Sequence, residues 1–157
     1  MNHYVQILID TLEKKKEVLN ELIRLNDEQT EIIQASDFDT DAFDENIGKK
    51  AEQIAILEKL DLGFDVNFQH CKDELINHKE KYVEQIKHMQ ELIRETIDLG
   101  STIYTGEHRN KQLIEQQFKN ERAQIKGNRN NSKAAYDYYR MMNNNNIVDS
   151  VFVDRKQ

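Results

Sequence analysis

Nowhere in its 157 residues does this chain contain a proline. Proline is the strongest helix breaker, because it removes a backbone donor and its ring collides with the preceding turn. Without it, helices here can end only at glycine, asparagine and cap residues, and glycine occurs five times. Apolar residues make up 38% of the chain and charged residues 32%. That is too little apolar material to surround a broad core, so it has to lie in narrow stripes along extended helices. The expected fold is all-α: an elongated antiparallel bundle or coiled coil of long helices with a flexible C-terminal segment.

The apolar spacing supports this. From about residue 3 to 35, Val5, Leu8, Leu12, Leu19, Leu22 and Ile33 recur mostly in steps of three and four, widened by Val18, Leu25 and Ile32, which makes an amphipathic helix of about nine turns. Lys15, Asn26 and Gln29 interrupt that stripe. Their presence argues against a strict parallel coiled-coil dimer and for packing against other helices of the same chain. The stretch ASDFDTDAFDE follows, with Ser36, Asp37 and Asp41 as turn and cap residues, and a second helix is expected over about 41–60. In LDLGFD, Gly63 can end that helix and Asp65 can cap a third, expected over about 65–126 with a bend near Gly100. Unbroken, such a helix would be about 90 Å long. Residues 1–126 are thus expected to form the helical bundle. Residues 127–157 are expected to form a flexible segment carrying a short helix at about 133–142, cut off by NNNN.

Charge is distributed unevenly. Residues 1–108 carry 12 basic and 24 acidic side chains, whereas residues 109–157 carry 10 basic and 5 acidic. A nucleic-acid reading would use Arg109, Lys111, Lys119, Arg122, Lys126, Arg129 and Lys133, but the acidic remainder repels phosphate. Pairing within the chain or with a partner of mixed charge suits the pattern better. The single cysteine, Cys71, excludes an internal disulfide and points to a reducing compartment. Asp10 and Glu13 stand where a signal peptide needs an apolar run. The expectation is a cytoplasmic protein without a membrane span.

A search for chemistry finds no catalytic constellation. Asp37, Asp39 and Asp41 imitate the start of a calcium loop, but Ala42 stands where the loop requires glycine and Gly48 where it requires glutamate. His70, Glu74 and His78 share one helix face yet supply only part of a metal shell. There is no glycine-rich phosphate loop and no nucleophile elbow. Neither an enzyme nor a cofactor site is expected.

The order of parts resembles the FlgN family of bacterial flagellar export chaperones. The likeness rests on a first helix rich in Leu and Glu and on an acidic turn leading into ENIGKKAEQIAILEKLDLGFD. It continues with a long helix containing EHRNK, a Tyr-rich patch and a terminus of Phe152, Val153, Asp154, Arg155 and Lys156. FliT-type flagellar chaperones are the near alternative. The resemblance implies a cytoplasmic chaperone that keeps hook-filament junction proteins unassembled and escorts them to the flagellar type III export gate, with a homodimer as an allowed state. Exposed apolarity singles out Tyr136, Tyr139, Met142, Val151, Phe152 and Val153 as the partner-binding residues, since Met repacks easily and Tyr offers a large area at low entropy cost. The competing expectation is that these residues fold back as a lid on the bundle. A structural spacer with no client is the other class that the long helices allow.

Overall fold

The computed structural model describes residues 3–124. Three long helices account for nearly all of them: α1 (His3–Gln34), α2 (Thr40–Asn77) and α3 (Val83–Gln124), with a 3-10 turn at Lys79–Lys81 between the last two. No strand occurs among the described residues. The expected linker, the short helix at 133–142 and the closing patch lie outside the described residues.

Three apolar layers give the topology. At one end, Val5, Leu8, Ile9 and Leu12 of α1 meet Cys71 and Leu75 of α2, Tyr82, and Met89 and Leu92 of α3. In the middle, Leu19 and Leu22 meet Ile54, Leu57 and Ile103. At the far end, Ile33 meets Phe43, Ile114 and Phe118. As the α1 numbers rise, those of α2 fall and those of α3 rise. The bundle is therefore up-down-up, with α2 antiparallel to its neighbours and α3 parallel to α1. The close backbone approaches are those of α1 with α2 and of α1 with α3. Side chains of α2 and α3 meet over the face of α1.

The start of α2 follows from its sequence. Asp39 is the N-cap, in extended conformation, and its carboxylate accepts from the Ala42 amide at 3.1 Å. One of the three aspartates that imitate a calcium loop thus caps the helix, as local chemistry dictates.

The second boundary differs from expectation. The sequence reading ends the helix at 60 and begins another at 65, but α2 continues through LDLGFD to Asn77. Gly63 sits mid-helix, and the side chain of Asn67 donates to its carbonyl at 2.8 Å. The apolar positions that face α1 run on past the glycine through Phe64, Phe68, Cys71 and Leu75. The helix stops only where α1 runs out, at its N-terminal end, because a helix face with nothing left to pack against gains little by continuing. There His78 leaves helical geometry (φ −128°, ψ 45°), its amide still donating to Glu74 O at 3.0 Å. Residues 65–77 therefore run antiparallel to the helix the sequence placed them in. The third helix is 42 residues long, about 63 Å rather than 90 Å. It remains helical through Gly100 and Gly106.

Gly106 has a packing reason. A Cβ at that position would come within 3.1 Å of the Asn26 side-chain nitrogen. The absent side chain lets α3 approach α1 at this level.

Candidate functional site

The interior carries an unexpected amount of polar chemistry. Lys15 is 1% exposed and pairs with Asp61 at 2.9 Å. Farther along, between the middle and far apolar layers, all three helices contribute to one hydrogen-bonded layer. Gln29 Nε2 donates to Asn46 Oδ1 at 3.0 Å, and Asn46 Nδ2 donates to the Leu25 carbonyl at 3.0 Å. Asn110 Nδ2 donates to Gln29 Oε1 at 3.0 Å and to the Asn26 carbonyl at 2.9 Å, while Thr30 Oγ1 donates to Asn110 Oδ1 at 2.6 Å. Lys50, fully buried, reaches Gln29 Oε1 at 3.4 Å and Glu107 at 2.5 Å. Burial pushes the Lys50 ammonium below its ordinary value, and the Glu107 carboxylate opposes that shift.

Sequence reasoning flagged Lys15, Asn26 and Gln29 and missed Asn46, Lys50, Glu107 and Asn110. The missing signal lay in the spacing of α2. Phe43, Asn46, Lys50, Ile54 and Leu57 form one series of threes and fours, so the two polar residues sit on an apolar stripe. Such a layer suits fixing helix register rather than reacting with a substrate, because its amides and the Lys50 ammonium find their partners on the neighbouring helices, and other registers would leave them unpaired.

The residues weighed as metal ligands are engaged in packing. His70 stacks on Tyr4 with centroids 4.8 Å apart and an interplanar angle of 14°. Glu74 accepts from the Tyr82 hydroxyl at 3.2 Å and lies 4.0 Å from His78. Cys71 is buried, its Sγ 3.4 Å from the Asn67 carbonyl oxygen, and burial pushes its thiol up. It is thus a packing residue, not a nucleophile. Of the basic residues that invited nucleic acid, Arg109 lies 3.5 Å from Asp27 and reaches the Asn26 carbonyl at 3.4 Å.

Two surfaces remain. Between α1 and α3 runs a groove of about 400 Å³ lined by Glu13, Lys16, Glu17, His88 and Glu95 among others. Lys16–Glu95 at 2.6 Å and His88–Glu13 at 3.3 Å span it. Its polar, bridged lining suits water better than an apolar helix. The outer face of α2 is different, with Ile56 43%, Leu62 67% and Val66 52% exposed. LDLGFDVNF alternates apolar and polar residues with period two, and on a helix that spreads apolar side chains around the whole circumference. One face packs on α1, and nothing among the described residues covers the other.

Tyr136, Tyr139, Met142, Val151, Phe152 and Val153 lie outside the described residues. The last turns of α3 lie beside the cluster of Ile33, Phe43, Ile114 and Phe118, with Ile32, Phe38, Ile47 and Leu113 packed around it. Among the described residues, no helix is long and apolar enough to cross a membrane.

Compared with known protein families, the chain matches the model described as FlgN protein over residues 1–137, which takes in all three helices and runs on past the end of α3. Comparison with curated proteins gives no match, nor does comparison with solved structures.

Proposed function

This chain belongs to the FlgN family of flagellar export chaperones, which bind hook-associated proteins, and from that premise we propose that it holds a hook-filament junction protein unassembled in the cytoplasm and delivers it to the type III export gate. The match over residues 1–137 carries the reading. Physical chemistry supports it. Junction subunits assemble through amphipathic helices, and a partner covers such a helix by offering apolar anchors at helical spacing. Tyr136, Tyr139, Met142 and the Val151–Phe152–Val153 patch supply such anchors in sequence. A segment that orders only when it meets its partner spends part of the contact energy on ordering, which keeps affinity moderate and release possible.

The test is co-purification of junction proteins from a flagellated cell lysate with the full chain and with a chain lacking residues 132–157. Capture by the full chain and loss on truncation is the expected result. Equal capture by both would move the client site onto the three helices. If the full chain brings down no flagellar protein, the function itself is wrong.

A further inference from the structure

The outer face of α2 has an order of its own. Gly48, Ala51, Ala55, Lys59, Leu62 and Val66 follow one another in steps of three and four, and all six are exposed. They lie on the side of the helix opposite Phe43, Lys50, Ile54, Leu57 and Cys71, which are buried. α2 thus carries two stripes, one covered by α1 and one covered by nothing among the described residues. The second stripe is graded: the small residues Gly48, Ala51 and Ala55 fill its N-terminal half and the larger Lys59, Leu62 and Val66 its C-terminal half. Gly48 has nothing within 4 Å of where a Cβ would stand.

That gradient is self-complementary. If a second α2 lies antiparallel with a two-fold axis at the level of Leu57, whose own side chain is buried on the other face, Val66 of each copy falls opposite Gly48 of the other, and Leu62 opposite Glu52, next to Ala51. Bulk meets space at both ends, as a closed two-fold interface requires. Lys59 falls opposite Ala55, its stem covering the alanine and its ammonium directed at Glu52 one turn away. Glu52 and Lys59 are both exposed on the same flank. The two-fold therefore creates two opposite-charge pairs, and Ile56, also half-exposed, comes beside its own copy near the axis. A parallel arrangement would set Leu62 against Leu62 and Lys59 against Lys59, giving neither the fit nor the pairing.

We infer that this face is a self-association surface, on which two copies of the chain pair through antiparallel α2 helices. The stripe from Gly48 to Val66 is about 27 Å long, and a helix face of that length and about 10 Å width covers on the order of 300 Å² per copy, well below the roughly 800 Å² per partner of a stable standard interface. The dimer is accordingly weak and exchanging, with dissociation in the micromolar range or above. This inference stands on the described residues alone and is independent of which client is bound.

The experiment is analytical ultracentrifugation of the full chain from about 1 µM to about 1 mM, the range in which an interface of this size titrates. Reversible dimer formation is expected, weakened at least about tenfold by Leu62→Glu, which places a charge in the stripe. Glu52→Lys and Lys59→Glu should each weaken the homodimer. Mixing those two variants should form a heterodimer tighter than either homodimer, because opposite charges then face each other at both positions. All three substitutions fall on exposed side chains, and circular dichroism checks that each variant is folded. A full chain that stays monomeric over the whole range overturns the inference, whether a client or residues 125–157 cover the face. So does a dimer indifferent to these substitutions, or a mixture no tighter than its components.

Discussion

At the scale of single residues, Lys50 is the position where burial and charge are most sharply opposed. It is fully buried, Glu107 is 12% exposed, and the two lie 2.5 Å apart. Removing one partner strands the other. Lys50→Met is expected to lower unfolding free energy by about 2–3 kcal/mol at neutral pH, and Lys50→Met with Glu107→Leu to recover most of that, since an apolar pair incurs no desolvation of charge. Urea titrations of the three proteins measure both effects. Stability should also depend on pH in a defined direction. Because the folded state holds Lys50 below its ordinary value, the unfolded chain binds the proton more readily between that depressed value and about 10.4. The stability tied to this group is complete above the ordinary value and falls away as pH drops towards the depressed one. The advantage of the native chain over Lys50→Met should therefore grow as pH rises from neutral towards 10, and a flat difference would contradict the assignment.

At the scale of elements, Gly63 separates two readings of α2. A glycine that ended the helix in the left-handed region would tolerate no replacement by alanine. Gly63 instead lies mid-helix with nothing within 4 Å of a built Cβ. Gly63→Ala is thus expected to stabilise the chain by about 0.5–1 kcal/mol, through helix propensity and the lost freedom of the unfolded state. Thermal unfolding followed at 222 nm reads the sign. The same residue shows what sequence could and could not supply. The α1 stripe from Val5 to Ile33 was legible because a period is local; the acidic turn before α2 was legible too, but its cap is Asp39 and not one of Ser36, Asp37 and Asp41, since several carboxylates in a row offer the same local chemistry. The end of α2 was not legible, because it depends on how far α1 extends alongside, and no local pattern carries that length. Asn46, Lys50 and Asn110 escaped notice for a related reason. A polar residue on an apolar stripe becomes a network member only when a partner from another helix arrives at the same level. The tail residues Tyr136 to Val153 lie outside the described residues, and their role rests on the binding test.

At the scale of the whole molecule, three apolar layers would let long helices slide by a turn with little loss, since leucine meets leucine in many registers. The polar layer of Gln29, Asn46, Lys50, Glu107 and Asn110 opposes this, because a slip of one turn leaves amides and charges buried without partners. Replacing all five with leucine is expected to raise the midpoint of thermal unfolding while degrading uniqueness. Amide NMR spectra should change from one set of sharp resonances to broadened or multiple sets. A variant both more stable and equally well ordered would show that register is held elsewhere.

The parallel course of α1 and α3 gives the molecule two unlike poles. α1 begins, and α2 hands over to α3, at one pole; α1 hands over to α2, and α3 ends, at the other. With α1 spanning 32 residues, the poles are separated by about 48 Å. A surface to which the chain is anchored by its first residues therefore holds Gln124 at arm's length, at the opposite pole. A fluorophore pair placed on His3 and Gln124 would work as a ruler for the closed bundle, and for that reason an affinity handle belongs at the N-terminal pole.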